Sequence, residues 1–174
     1  YGEAVLFDNA RNQYVITRIK RILKRTVSTL QYQLKKGAFR PEQFEVSFSV
    51  LEDLESVNIA LTGEEKLRLR GRIDRVDVCE EEDKVYVKVI DYKSGNRDFS
   101  LAALYYGLQL QLVVYMNAAV EMEENKYPDR KVVPAAMLYY RVHDPIVEGE
   151  ETENEEQIQE KILAGLRMTG VVNA

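Results

Sequence analysis

Two short stretches decide the fold of this 174-residue chain: GRIDRVD at residues 71–77 and VIDYKSG at residues 89–95. An acidic run at residues 80–83 lies between them, which predicts two strands joined by a hairpin turn. Asp91 and Lys93 are two residues apart, so on a strand both side chains project from the same face. The same alternation includes the apolar residues Val85, Val87 and Val89. A charged pair that continues an apolar face needs a chemical reason.

The two predicted strands supply carboxylates at Asp74 and Asp91 and an ammonium group at Lys93. Carboxylate oxygens suit a hard divalent cation, and a lysine can hold a water molecule or a phosphate oxygen. This combination is what a magnesium-dependent phosphodiester hydrolase needs. Taken singly, each residue is explained as well by a surface ion pair, which contributes little to stability. Asp74 would pair with Arg72 or Arg75, and Lys93 would pair with Asp91.

The length predicts a single domain over residues 1–174, or a domain of a larger protein. With 45% hydrophobic and 30% charged residues, the chain can bury a core. Cys79 is the only cysteine, which excludes an internal disulfide and a cysteine cluster within the chain. Asp77 is expected to be structural, and His143, the only histidine, is not expected to be catalytic.

The uncharged stretch 99–120 approaches the length of a membrane span. It also contains three tyrosines and the amides Gln109, Gln111 and Asn117, which fit a buried helix of a soluble domain better. We therefore expect no membrane association. No basic segment precedes an apolar run at Tyr1, so no signal peptide is predicted.

The net charge of −5 is unevenly distributed along the chain. Residues 11–40 hold nine Lys or Arg and no Asp or Glu, whereas residues 148–160 hold seven Glu and no Lys or Arg. A solvated helix face explains the basic stretch without any function. So strong a bias also favours contact with phosphate or with a partner protein, and the candidates are Arg18, Arg21 and Arg25.

Hydrophobic periodicity predicts a mixed sheet flanked by helices. The first helix covers residues 10–36 and ends at Gly37. Its apolar stripe consists of Ile16, Ile19, Leu23, Val27, Leu30 and Leu34. Strands are expected at residues 41–50, 57–61, 66–78, 84–92 and 132–142. Further helices are expected over residues 101–123, with Ser100 as the N-cap, and over residues 157–166.

The order of these motifs resembles the nuclease domain of the RecB-type branch of the PD-(D/E)XK superfamily. Within that branch it is most similar to the AddB family, whose members are subunits of bacterial ATP-dependent helicase/deoxyribonucleases. The resemblance rests on GRIDRVD, VIDYKSG and the segment YYGLQLQLVVY, which together span residues 71–115. A weaker similarity, through an FE-x-x-F strand and the basic helix, reaches back to about residue 10. The resemblance implies a restriction-endonuclease-like α/β core with a mixed central sheet flanked by helices.

The resemblance also implies roles for individual residues. Asp74 and Asp91 would bind Mg²⁺ or Mn²⁺, and the backbone carbonyl of Tyr92 would add a third oxygen. Lys93 would orient the attacking water and stabilise developing charge.

Gln111 and Tyr115 match the Gln-x-x-x-Tyr helix motif of the family. They are four residues apart, so they project from one helical face. Without the resemblance, Gln109 and Gln111 are explained equally well as hydrogen-bonded core amides, and Tyr115 as a core residue.

Two features of the family are missing from this sequence. RecB-type nucleases usually present a His or Glu on a helix ahead of the sheet, and the predicted helix over residues 10–36 contains neither. That ligand would then precede Tyr1 or be absent. Cys79 alone cannot hold the four-cysteine iron–sulfur cluster of many relatives.

The sequence contains no GxxxxGK[ST] phosphate loop, so no helicase motif is present.

The resemblance therefore implies a bacterial cytoplasmic nuclease domain, part of a larger protein that processes DNA double-strand breaks together with an AddA-like helicase partner. A second interpretation is a catalytically degenerate scaffold that binds DNA or a helicase partner, which a divalent-metal titration distinguishes from a nuclease. A stand-alone exonuclease is a third, and the missing cluster cysteines count against it.

Overall fold

A computed structural model of the chain describes residues 9–50, 69–95, 98–149 and 153–173. Helices and strands follow one another along these residues in a mixed α/β order. They are α1 (Ala10–Lys35), β1 (Arg40–Val50), β2 (Leu69–Glu80), β3 (Lys84–Lys93), α2 (Leu101–Tyr105), α3 (Gln111–Lys126), β4 (Lys131–Arg141), α4 (Glu155–Gly165) and β5 (Thr169–Val172). None of the described helices is both long and apolar enough to cross a membrane.

The five strands form one sheet in the order β1-β2-β3-β4-β5. The pairs β1–β2, β2–β3 and β4–β5 are antiparallel. Backbone hydrogen bonds from Lys131 N–H to the Asp83 carbonyl and from Val142 N–H to the Lys93 carbonyl join like ends of β3 and β4. These two strands are therefore parallel, and α2 and α3 form the crossover that a parallel connection requires. The predicted mixed sheet is confirmed.

Contacts between Cα atoms divide the chain into two compact units. The first comprises Tyr1–Ala38, Tyr92–Arg97 and Tyr140–Met168. The second comprises Phe39–Asp91, Asp98–Tyr139 and Thr169–Ala174.

The core of the second unit lies between the β2–β3 hairpin and α3. Small residues on α3, Ala118 and Ala119, let the helix approach the sheet closely. The buried residues of this core are Ile73, Val76, Val78, Val85, Val87, Val89, Tyr115, Met116, Ala118, Ala119 and Val132. Val85, Val87 and Val89 alternate along β3, so the face on which Asp91 follows them is a buried one.

A buried ion network lies on the β2–β3 hairpin. The Asp77 carboxylate is fully buried and accepts hydrogen bonds of 2.5 and 2.7 Å from the Arg75 guanidinium. The Lys88 ammonium lies 2.9 Å from the same carboxylate. Asp77 is thus a structural residue, as its sequence context predicts.

A second buried carboxylate, Glu123 near the end of α3, connects that helix to β1. The Gln43 amide donates to it at 2.8 Å, and the Lys126 ammonium donates at 2.9 Å to Glu123 and at 2.8 Å to Glu42. Burial opposes charge on Lys126, but the hydrogen bonds to Glu42 and Glu123 outweigh it and raise the Lys126 pKa.

The first unit corrects the predicted packing of α1. Side chains of the predicted apolar stripe are exposed at Ile19 (49%), Leu23 (54%) and Val27 (53%). The residues of α1 that are buried are Thr26 and Thr29. Their hydroxyls face the Tyr140 hydroxyl, and burial raises the Tyr140 pKa. The other three residues of the stripe, Ile16, Leu30 and Leu34, are half-buried. The most buried face of α1 is therefore offset from its apolar stripe.

The predicted helix over residues 101–123 is also corrected, because it is two helices. The chain turns between Tyr105 and Gln111, and Gly107 has φ +73°, a left-handed conformation that glycine adopts without strain. Ser100 caps α2 as predicted, accepting from Ala103 N–H at 3.2 Å. Strand β5 was not predicted, and the strand expected at residues 57–61 lies outside the described residues.

Replacing Asp77 by Ala should lower the free energy of unfolding by about 3–5 kcal/mol, because the buried positive charges of Arg75 and Lys88 lose the carboxylate that compensates them. Arg72→Ala is the matched control. Arg72 pairs with Glu45 at 2.8 Å, both side chains are more than 60% exposed, and the loss should stay below about 1 kcal/mol. Denaturant unfolding of the two variants measures the difference, and equal losses would contradict a structural role for the buried network.

Candidate active site

Asp91 is the buried carboxylate around which the candidate site is built. It lies near the end of β3 and is 2% exposed. Its Oδ1 accepts a hydrogen bond of 3.1 Å from the Gln111 amide nitrogen. A buried carboxylate requires such a donor. Burying a polar group without a hydrogen-bond partner costs about 1–3 kcal/mol, and burying a charged group without one costs more.

Gln111 is the first residue of α3 and joins two of the predicted site residues. Its amide nitrogen donates to Asp91 and also to the Tyr115 hydroxyl oxygen, at 2.7 Å. The turn at residues 106–110 starts α3 at this point, so Gln111 lies at the end of the helix where it reaches β3. Three predicted site residues, Asp91, Gln111 and Tyr115, are therefore in one hydrogen-bonded chain.

Two residues that the sequence reasoning did not assign to the site hold Tyr115 in place. The Phe48 ring of β1 packs edge-on against the Tyr115 ring, with centroids 5.6 Å apart. Gly71 of β2 lies beneath both rings, and a Cβ there would be 2.5 Å from Phe48 and 3.2 Å from Tyr115. A glycine inside a strand indicates that another group lies close to the backbone, and here that group is the pair of rings. The first glycine of GRIDRVD thus makes room for the aromatic pair.

Asp74 lies on β2 next to the position of Asp91. The register of the hairpin pairs Arg75 with Ile90, so Asp74 and Asp91 are the next residues toward its open end. Asp74 is half-buried. The two predicted metal ligands therefore occupy neighbouring positions on adjacent strands.

Lys93 and Tyr92 end β3 immediately after Asp91. The Lys93 carbonyl accepts a 2.8 Å hydrogen bond from Val142 N–H, which holds this strand end in place. The Tyr92 ring packs edge-on against Tyr140, with centroids 5.7 Å apart. Because Lys93 is two residues beyond Asp91 on a regular strand, strand geometry places both on one face.

The three candidate arginines of α1 are in different situations. Arg21 and Arg25 both form ion pairs with Asp144, the residue before Pro145. Arg18 is exposed. Two of the three arginines are therefore engaged in holding the chain that follows β4.

The chemistry of the donor set fits a hard cation with a small number of protein ligands. Asp74 and Asp91 offer carboxylate oxygens, which Mg²⁺ and Mn²⁺ prefer. Within residues 9–50, 69–95, 98–149 and 153–173, no group of three or more His, Cys, Asp or Glu could hold a metal. Cys79 is a free thiol, and the His143 ring nitrogen Nδ1 lies 3.1 Å from the Arg141 carbonyl of its own segment.

Gln111→Leu should lower the free energy of unfolding by roughly 1–3 kcal/mol, because the buried Asp91 carboxylate loses a donor. Tyr115→Phe removes only the hydroxyl that accepts from Gln111 and should cost at most about 1 kcal/mol. Chemical unfolding of both variants measures the difference. Equal losses would mean that the amide stabilises the tyrosine rather than the carboxylate.

Comparison with known proteins agrees with this arrangement. A family model described as the PD-(D/E)XK nuclease superfamily matches residues 2–169. The chain is 45% identical over 174 residues to the AddB-type subunit of an ATP-dependent helicase/deoxyribonuclease from Lachnoclostridium phytofermentans, covering 100% of the chain and 14% of that relative. It is 40% identical over 171 residues to the corresponding subunit from Clostridium acetobutylicum, covering 98% of the chain and 15% of that relative.

A third relative, the corresponding subunit from Clostridioides difficile, is 40% identical over 168 residues, with 97% of the chain and 14% of the relative covered. The chain thus spans about one seventh of the length of the curated relatives it matches. The resemblance to the AddB family that the motifs indicate is confirmed by these matches. With a family match over almost its whole length and the predicted mixed sheet, the chain belongs to the PD-(D/E)XK nuclease superfamily.

Proposed function

We propose that this chain is a metal-dependent nuclease domain that hydrolyses phosphodiester bonds of DNA, with Asp74, Asp91, Lys93, Gln111 and Tyr115 as its site residues. The observation that carries the proposal is the hydrogen bond from Gln111 to Asp91. It joins the two motifs of the resemblance, on β3 and α3, at one buried carboxylate.

Asp74 and Asp91 would hold the cation, Mg²⁺ or Mn²⁺, with the Tyr92 carbonyl as a third oxygen. A cation bound there would polarise the phosphate and lower the pKa of a water molecule. Gln111 orients Asp91, and Lys93 holds the water or a phosphate oxygen on the same strand face. The water oxygen would bond to phosphorus and release a proton to solvent as the bond from phosphorus to the leaving 3′ oxygen breaks, and that oxygen would take up a proton from solvent. Base identity would not matter, since these groups address phosphate.

We further propose that the domain is part of a longer AddB-like protein that works with an AddA-like helicase partner on DNA double-strand breaks in the bacterial cytoplasm. The support is that relatives matching over 97–100% of this chain are named as subunits of an ATP-dependent helicase/deoxyribonuclease. That name supports both DNA as substrate and a partner protein.

Asp91→Ala in the gene product that contains residues 1–174 should reduce Mg²⁺-dependent cleavage of DNA at least about a hundredfold, because the reacting groups lose their alignment. It should also weaken Mn²⁺ binding in calorimetry. Lys93→Ala should lose cleavage but keep Mn²⁺ affinity, since an ammonium is not a metal ligand.

The matched control for both is Asp129→Ala, which removes an exposed carboxylate between α3 and β4. Wild-type cleavage by Asp91→Ala would refute the nuclease site. If the wild-type protein binds DNA but neither binds Mn²⁺ nor cleaves, the degenerate scaffold is the correct interpretation.

Arg18→Glu should weaken DNA binding at low salt without lowering the thermal midpoint, because Arg18 is exposed. Arg21→Glu should lower the midpoint, because it places a like charge beside Asp144. A phosphate contact by Arg18 would reduce the slope of log affinity against log salt by about 1. If the slope and the affinity for DNA and for the helicase partner are all unchanged in Arg18→Glu, this part of α1 is a solvated face.

A further inference from the structure

The tyrosine between Asp91 and Lys93 contacts a buried partner on the neighbouring strand β4. Successive side chains of a strand project from opposite faces, so strand geometry directs Tyr92 away from the face that carries Asp91 and Lys93. The Tyr92 ring meets the Tyr140 ring edge-on, with centroids 5.7 Å apart and planes at 72°. Aromatic pairs favour this arrangement. The contact therefore restrains this part of β3 without occupying the face of the proposed site.

Tyr140 is itself held firmly by its surroundings. The residue is 0% exposed. Its hydroxyl faces the hydroxyls of Thr26 and Thr29, which are the two buried residues of α1. Close packing on all sides keeps a buried ring of this size in one position. The Tyr140 ring therefore connects the buried face of α1 to Tyr92.

β4 makes a second contact with the same end of β3. Val142 N–H donates to the Lys93 carbonyl at 2.8 Å. A ring at Tyr140 and a backbone N–H at Val142 thus hold two consecutive residues of β3. Lys93 is the last residue of that strand, and Ser94 and Gly95 after it are exposed. Both contacts oppose fraying of this strand end.

We propose that Tyr140 is a positioning residue of the nuclease reaction, which sets the Tyr92 carbonyl and the Lys93 ammonium through its contact with the Tyr92 ring. The inference rests on the proposed function, in which that carbonyl binds the cation and that ammonium holds water or a phosphate oxygen. A misplacement of about 1 Å at reacting groups can cost about a hundredfold in rate. Because it is fully buried, Tyr140 acts through Tyr92 and not by contact with DNA.

The test removes the ring contact from either side. Tyr140→Leu and Tyr92→Leu each delete one ring of the pair, and Tyr140→Phe keeps the ring but loses the hydroxyl. Val132→Ala is the control for general loss of stability. Val132 is buried near the start of β4, where Lys131 N–H donates to the Asp83 carbonyl beside the opposite end of β3. All variants are made in the gene product that contains residues 1–174.

Tyr140→Leu should lower kcat for cleavage of DNA at saturating Mg²⁺ roughly ten- to hundredfold, with KM within about threefold of the wild-type value. Tyr92→Leu should do the same. The double variant should lose no more than either single variant, because both substitutions remove one contact. Tyr140→Phe should keep kcat within about threefold, since the ring remains. Val132→Ala should keep wild-type kcat below its thermal midpoint.

Hydrogen exchange followed by mass spectrometry reports on the strand end without depending on catalysis. Overlapping peptides that cover residues 91–94 should exchange faster in Tyr140→Leu than in the wild type. Peptides that cover residues 84–89, at the other end of β3, should exchange as in the wild type. Val132→Ala should leave exchange at residues 91–94 unchanged.

Wild-type kcat in folded Tyr140→Leu would overturn the proposal, and so would equal losses in Tyr140→Leu and Val132→Ala or multiplied losses in the double variant. If Tyr140→Leu does not fold, wild-type kcat in Tyr92→Leu has the same meaning, because Tyr92 is only half-buried. Failure of the proposed function has a different signature: Asp91→Ala would cleave, or the wild type would not. Unchanged exchange at residues 91–94 would overturn the positioning role in that case as well.

Discussion

The hydrogen bond from the Gln111 amide to the Asp91 carboxylate is the interaction on which the candidate site depends. β3 places Asp91 in line with three buried valines, where a carboxylate without a donor would be costly. The donor is available only because α3 starts at Gln111, and α3 starts there because the chain turns at Gly107, which has a positive φ. The turn that separates α2 from α3 therefore also determines where the donor to Asp91 lies.

Two aspartates of the β2–β3 hairpin are buried in the second unit, and each has partners that fix its position. Asp77 lies between two cations, Arg75 and Lys88, which offset its charge and make it a structural element. The Asp91 carboxylate accepts a hydrogen bond from the Gln111 amide, and this bond orients it. Burial of both carboxylates therefore depends on side chains that donate to them.

The arginines of α1 show how a charge pattern can mislead. Nine basic residues and no acidic ones over residues 11–40 favour a surface for phosphate or for a partner protein. Arg21 and Arg25 nevertheless hold Asp144, more than one hundred residues further along the chain. Part of the basic excess therefore stabilises the first unit. The exposed side of α1 carries Ile19, Leu23 and Val27, which the apolar repeat alone would have placed in a core.

The sequence by itself determined the elements whose signals are local. Alternation and turn residues located β2, β3 and β4 to within two or three residues, and periodicity with Gly37 located α1. The ordered motifs also pointed to the superfamily and to Asp74, Asp91, Lys93, Gln111 and Tyr115. Tertiary structure decided which face of α1 packs, where residues 101–126 break into two helices, that β5 adds to the sheet, and that Phe48 and Gly71 support Tyr115. These outcomes depend on partners distant in sequence, and periodicity carries no information about which partner a face will meet.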